Sequence, residues 1–298
     1  MSSRTKRLVI FIVLTFAITY LFEFLVIYPK AQDSEYATSS ITKALVAVVM
    51  FFPALCVLLT RLLTKEGFKD CMIKPNLKGN VKYYVMAWFG PQLICTIGTV
   101  IYFLIRPEAF DPTHSYIKES YDSMGLTMND ALINTTMISQ FALAFFAAPL
   151  LNGIACFGEE WGWRGYMMPK LLEKHSFTIA CLMGGAVWGI WHAPIIALGH
   201  NYGTEYPGFP WIGIALMTLF CIVCGIFFTW LTKKTNSCIP AVLAHGALNG
   251  FAAAPTFFIA NNEDVLLGPT ACGLIGMVGF ISLAIFILCA SKQTVKSV

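Results

Sequence analysis

Eight stretches of about 20 mainly apolar residues dominate this chain, at about 8–28, 43–63, 84–105, 133–157, 177–199, 211–232, 238–260 and 270–290. A helix of that length crosses a hydrocarbon core roughly 30 Å thick at a rise of about 1.5 Å per residue. Inside lipid each segment must satisfy its own backbone N–H and C=O groups, so such runs are expected to be helices. The fold class expected is therefore all-α, a polytopic membrane protein with eight transmembrane helices. Composition agrees, with 57% hydrophobic and only 12% charged residues, against about 25% charged in soluble domains. No internal repeat is visible, and residues 1–298 read as a single integral membrane domain. The first run follows Arg4, Lys6 and Arg7, as a signal peptide would. Its apolar length exceeds an h-region and Pro29-Lys30-Ala31 is a poor cleavage site, so it is expected to be retained. The ten cysteines sit mostly in apolar runs, where a thiol acts as a small hydrophobe. Cys221 and Cys224 lack the βαβ context of a redox pair.

The lysines and arginines set the orientation. With alternating helices, sixteen of the 20 basic residues fall on one side. They include Arg4, Lys6 and Arg7, the run from Arg61 to Lys82, Arg164, Lys170 and Lys174, and Lys233 and Lys234. Only Lys30, Lys43, Arg106 and Lys118 fall on the other, where Asp33, Glu35, Asp111, Asp130, Glu263 and Asp264 also lie. Both termini are expected to be cytoplasmic, in a multi-pass protein of the plasma membrane. The basic segment 64–83 suits either a piece lying on the anionic inner leaflet or a solvated loop. In the outer segments His114 and Glu205 are expected to be solvated.

Chemistry concentrates after the fourth run, in Glu159-Glu160-Trp161-Gly162-Trp163-Arg164-Gly165. Ionisable groups in a membrane-spanning segment cost several kcal/mol each and usually mark function. Glu159 and His192 flank the polar stretch Glu173-Lys174-His175-Ser176 at nearly equal separation. A helical hairpin turning there places both on the order of 20–25 Å from the turn, provided the fourth helix continues towards Lys170. His245 lies at a comparable depth past Lys233 and Lys234, in the cytoplasmic half of the membrane. Residues four apart share a helix face. Glu160 can thus pair with Arg164, leaving Glu159 about 100° around the helix, while Trp188 stacks over His192 and His245 over Asn249. Gly185-x-x-x-Gly189 and Gly246-x-x-x-Gly250 allow close helix approach beside these groups. Glu23 is expected to snorkel or be hydrogen-bonded, and Asn152 to bond a neighbouring helix.

A carboxylate, two imidazoles and an amide support hydrolysis by two routes. In one, Glu159 and His192 activate a water as general base, and His245 and Asn249 stabilise the oxyanion. In the other, Glu159, His192 and His245 ligate a divalent metal such as zinc, whose bound water attacks. No serine has a nucleophile context, and nucleic-acid binding is not expected because the basic residues are spread over membrane loops. The partners expected are the lipid bilayer and a membrane-associated peptide or protein. Two readings compete with hydrolysis: a non-catalytic immunity or binding protein on the same scaffold, and a transporter. The transporter lacks the expected inverted repeat and paired broken helices.

Glu159-Glu160-x-x-Trp163-Arg164-Gly165, then Trp188-x-x-x-His192, then His245-x-x-x-Asn249 resemble the motifs of the CPBP intramembrane protease family, which includes the type II CAAX prenyl proteases and proteins of bacteriocin immunity or processing. The resemblance covers about residues 133–260, taken as the catalytic core. It implies an endopeptidase with Glu159 as catalytic glutamate, His192 helping to activate water, His245 and Asn249 as oxyanion site, and Glu160 and Arg164 completing the first motif. It also implies a site open to the cytoplasm, in a family described both as metalloproteases and as metal-free glutamate proteases. In the second motif the family usually carries Phe four residues before its histidine, where this chain has Trp188.

Overall fold

The computed structural model describes residues 3–31, 40–260 and 265–296; Asp33, Glu35, Glu263 and Asp264 of the expected acidic side lie outside them. The regular structure among the described residues is helical, with one isolated bridge between Phe110 and Ile259. Three long helices open the chain: α1 (Ser3–Ala31), α2 (Ala44–Leu63) and α3 (Val81–Ile105). A short surface helix, α4 (Ser115–Ser123), precedes the bent pair α5 (Asp130–Phe146) and α6 (Ala148–Leu172). Next come α7 (Phe177–Trp191), α8 (Trp211–Thr235), α9 (Ile239–Phe251) and α10 (Val278–Lys296). By length and composition α1, α2, α3 and α8 can cross a membrane, and the bent pair makes five if it counts as one span.

Prolines explain why several apolar runs are not continuous helices. The fourth run bends by 59° between α5 and α6, where Pro149 stands in the first turn of α6. Proline cannot donate to the carbonyl four residues back and its ring crowds it. That carbonyl, of Phe145, instead accepts from the Trp88 indole at 2.8 Å. The fifth run, expected to reach residue 199, stops at Trp191. Pro194 frees the Ile190 carbonyl, which accepts the Tyr20 hydroxyl at 2.7 Å. A further short helix, Ala193–Ile196, follows. The seventh run ends at Phe251 before a 3-10 turn, Ala254–Phe258.

Contacts gather the turns into two opposite ends. At the basic end, Arg7 donates to the Thr64 carbonyl at 3.4 Å, Asn76 to the Thr235 carbonyl at 3.1 Å, and Cys238 N–H to the Met72 carbonyl at 2.7 Å. Segment 64–80 is tied to the helix ends by these bonds and leaves Phe68, Ile73 and Leu77 exposed. At the acidic end, Asp111 N–H donates to the Phe258 carbonyl at 2.8 Å, Thr99 to the Pro269 carbonyl at 3.0 Å, and Tyr202 to the Cys272 carbonyl at 3.0 Å. His114, expected to be solvated, is buried there, its Nδ1 2.6 Å from the Phe257 carbonyl. Glu23 does not snorkel. It is 1% exposed, in a π turn (Glu23–Ile27), and neither carboxylate oxygen has a hydrogen-bond partner.

Glycines set the helix spacing around the centre. A Cβ at Gly189 would lie 2.3 Å from the Thr218 Cα, so α7 packs on α8 at backbone distance. A Cβ at Gly246 would meet the Pro149 carbonyl oxygen at 2.7 Å, which brings α9 equally close to α6. These are the two small-x-x-x-small patterns, used as the sequence suggests. Asn152 spans the α6–α9 contact, donating to the Gly246 carbonyl at 3.2 Å.

Candidate active site

Glu159 lies on α6, 2% exposed. Its Oε2 accepts from the Trp188 indole at 2.7 Å and from the Trp163 indole at 3.4 Å. Two neutral donors hold one oxygen of the carboxylate, and Glu159 lines a cavity of about 430 Å³ together with His192, His245 and Asn249. That volume falls in the range of small-ligand sites. Glu160, one residue on, faces a different set of groups. Its Oε1 accepts from Arg164 Nη1 at 2.9 Å and from His245 Nδ1 at 2.9 Å. The i, i+4 pair expected from spacing is present, and it extends to a third group on α9 that spacing could not reveal.

Trp188 joins these elements. Besides donating to Glu159, its ring carries the Arg164 guanidinium 4.1 Å from the centroid, a cation–π contact. Its carbonyl lies 2.9 Å from His192 Nδ1. A carbonyl only accepts, so His192 donates through Nδ1, and in the neutral ring Nε2 is left as the base. A phenylalanine here could form the wall and the carbonyl contact but not the N–H bond to Glu159. His192 caps the C-terminus of α7, and the neighbouring Trp191 is tied to Thr19 of α1 at 2.8 Å. Asn249 is exposed along the cavity wall, with its amide 3.6 Å from Cys156 Sγ. The structure thus gathers Glu159, His192, His245 and Asn249 around one cavity and sets Glu160, Arg164 and Trp188 behind them.

Trp163, a residue of the first motif with no role assigned from sequence, and Cys156 also touch this site. Trp163 lies one turn after Glu159, and that spacing was a legible signal. Cys156 becomes meaningful only through α9. For a metal, the donors left are Nε2 of His192 and of His245 and the second oxygen of Glu159, since His245 Nδ1 bonds Glu160, His192 Nδ1 a carbonyl, and Glu159 Oε2 two indoles. Among the described residues no three His, Cys, Asp or Glu side chains stand close enough to hold a metal ion.

Beyond the motif residues the cavity is walled largely from the end that carries the acidic residues. These walls include His200, Asn201, Ala253, Thr256, Thr270 and Cys272. Towards the basic end α6 presents Trp163, Tyr166 and Met167, each at most 1% exposed. Phe11 packs on Trp163 and Tyr166 at 5.8 and 5.1 Å between ring centroids. Beneath them Glu66 accepts from Tyr166 at 2.6 Å, pairs with Lys170 at 3.0 Å and faces Arg7 at 3.9 Å. Burial pushes the Glu66 carboxyl up, but the hydrogen bonds from Tyr166 and Lys170 outweigh it and hold it below the usual carboxylate range. Thr19, which anchors Trp191, is roughly 18 Å along α1 from Arg7.

Residues 138–251, which contain all three motifs, match the family described as type II CAAX prenyl endopeptidase Rce1-like. Over 111 residues the chain is 32% identical to a protein named CAAX prenyl protease 2 from Methanococcus maripaludis, which aligns 37% of this chain with 41% of that protein. The match therefore spans about two fifths of the relative's length. On that matched segment, which bears Glu159-Glu160, His192 and His245-x-x-x-Asn249 in order, the chain is similar to the type II CAAX prenyl endopeptidases.

Proposed function

We propose that this chain is an intramembrane endopeptidase that crosses the plasma membrane eight times with both termini cytoplasmic. The alternation of turns between a basic and an acidic end supports the eight crossings. It makes traverses of the short helices α7 and α9 as well as of the long ones. The substrate class is a polypeptide held in or against the membrane. Prenylated CAAX proteins are the form of it that the relative's name carries.

The reaction runs on a water set between Glu159 and His192. Glu159 takes a proton as the water oxygen attacks the peptide carbonyl carbon. The trapped Oε2 leaves the other oxygen to work as base. The negative charge that moves onto the carbonyl oxygen meets the Asn249 amide and the Nε2–H of His245. Because His245 donates through Nδ1 to Glu160, it can offer Nε2–H only as an imidazolium. Charge then balances locally: Glu159 and Glu160 are negative, Arg164 and His245 positive. When the tetrahedral intermediate collapses, the C–N bond breaks and the proton passes from Glu159 to the departing amine. No step is routed through a metal.

One observation carries the reading: Glu159 shares a cavity with His192, His245 and Asn249 while being held by neutral donors alone. Comparing membrane peptides from cells carrying the wild-type chain and Glu159→Ala tests it and identifies the substrate. The wild type should yield fragments that vanish in Glu159→Ala and in His192→Ala, with equal protein in the membrane. Full biological activity in both variants would return the chain to a binding scaffold.

A further inference from the structure

Between α2 and α3 the chain forms no regular helix, yet its backbone is fixed at several points. Arg61 donates to the Asp70 carbonyl at 2.9 Å, the Trp161 indole to the Cys71 carbonyl at 3.0 Å, and Asn76 to the Asn236 carbonyl at 3.0 Å. Cys71 is buried by these contacts. The side chains around it are not. Lys65, Lys69, Lys74 and Lys78 are exposed, and none has a hydrogen bond or ion pair among the described residues. Phe68, Ile73 and Leu77 interleave with them and are 49%, 42% and 52% exposed, so apolar and cationic groups share one surface. Of the two carboxylates in the stretch, Glu66 is taken by Lys170 and Tyr166. That leaves Asp70 alone against four lysines.

The stretch joins two helices that are each long and apolar enough to cross a membrane, which sets it where lipid headgroups begin. Apolar side chains among free ammonium groups suit that layer: the former enter the acyl boundary, and the latter reach phosphate on flexible stems. We infer that residues 64–80 are a docking surface for anionic phospholipid. Phe68, Ile73 and Leu77 seat the stretch in the bilayer, and Lys65, Lys69, Lys74 and Lys78 hold negatively charged headgroups. Ammonium groups act as point charges, so the surface selects lipid by charge rather than by headgroup shape. A backbone already tied down loses little freedom when lipid binds. Trp161, which fixes Cys71, stands on α6 two residues after Glu159, so the surface is bonded to the helix that carries the candidate base. The inference holds whichever face of the membrane the basic end occupies, and it does not rest on the peptidase reading.

Lipid selectivity measured on the full chain in nanodiscs tests it. Eight native cysteines are buried; Cys272, which is partly exposed, and Cys289, which is exposed, are replaced by alanine. Val81→Cys, at the exposed start of α3, then carries a fluorophore. Phosphatidylcholine discs receive a small fraction of nitroxide-labelled phosphatidylglycerol or of nitroxide-labelled phosphatidylcholine. At about 0.1 M salt, where charges act over about 10 Å, the anionic label should quench the dye roughly twofold more than the neutral one. The excess should vanish at about 1 M salt, where that range shrinks to about 3 Å. It should also vanish when Lys65→Gln, Lys69→Gln, Lys74→Gln and Lys78→Gln are combined. Phe68→Ser, Ile73→Ser and Leu77→Ser together should weaken quenching by both labels. Equal quenching by the two labels in the wild-type stretch would make it a solvated loop and overturn the inference. An excess that survives either high salt or the four-lysine variant would overturn the role of these lysines. Unchanged quenching in the serine variant would overturn the seating in the bilayer. None of these readouts involves cleavage, so failure of the peptidase reading, seen with Glu159→Ala, is a separate result.

Discussion

Two carboxylates, Glu66 half-buried and Glu159 buried, are held in different ways. Glu66, at the basic end, is surrounded by a hydroxyl and cations: Tyr166, Lys170 and, farther off, Arg7. Its charge is matched, and burial is outweighed by hydrogen bonds. Glu159, at the cavity floor, has two indole N–H groups on one oxygen and no cation paired with it. A carboxylate held this way keeps its geometry without being neutralised by a salt bridge, as a general base requires. Glu160 sits between the two cases. It is fully buried and bonded to Arg164 and His245, yet its second oxygen has no partner.

The comparison can be sharpened first at Glu160. Glu160→Gln removes the charge between two buried cationic groups, and breaking such a pair costs about 3–5 kcal/mol. The expected outcome is a large fall in thermal midpoint in detergent together with a lower kcat, because His245 loses its orienting acceptor. An unchanged midpoint would mean the pair does not hold α6 to α9. Trp188→Phe is a smaller perturbation that keeps the aromatic wall but deletes one donor to Glu159. A hydrogen bond to a charged group is worth about 1.5–3 kcal/mol, so kcat should fall roughly 10- to 100-fold with KM little changed. Equal activity would remove Trp188 from the positioning of Glu159.

At the basic end the expected effect is on stability and depends on pH. The folded-state pKa of Glu66 lies below its unfolded value, so its contribution is fully present above about pH 4.3 and is lost as pH falls through the lowered pKa. Thermal midpoints measured from pH 6 down to 3 should drop for the wild type, and Glu66→Gln should flatten that drop. An identical pH profile in the variant would remove Glu66 from the stability of that end. The smallest expected effect is that of chelation. Removing divalent metal from purified protein, checked by elemental analysis, should leave cleavage unaltered, because the described residues gather no metal-holding group.

Much of this was legible in sequence because it depends on local rules. Apolar run length identified the all-helical class, the i, i+4 spacing paired Glu160 with Arg164, and the glycine patterns marked the close contacts of α7 and α9. The interrupted spans were less legible. A hydropathy window counts Pro149 and Pro194 as ordinary members of an apolar run, although each ends a helix and frees a carbonyl for Trp88 or Tyr20. The walls of the cavity were hard to read for a different reason. Residue separations along α6 and α7 give distance from a turn, and the same separations fit a site reached from either end. Only the packing brings Phe11, Trp163 and Tyr166 together on the basic side. Spacing within a helix likewise could not show that His245 would lean on Glu160 from another helix.

The central claim is that Glu159 reacts while Glu66 supports. Purified Glu159→Gln and Glu66→Gln, reconstituted in vesicles at equal folded amounts, can be compared directly with wild type for cleavage of a substrate peptide. Glu159→Gln should lose about 10²–10⁴-fold in kcat with a near-native thermal midpoint, and Glu66→Gln should retain its kcat with a lowered midpoint. Cleavage at the wild-type rate by Glu159→Gln would contradict the account.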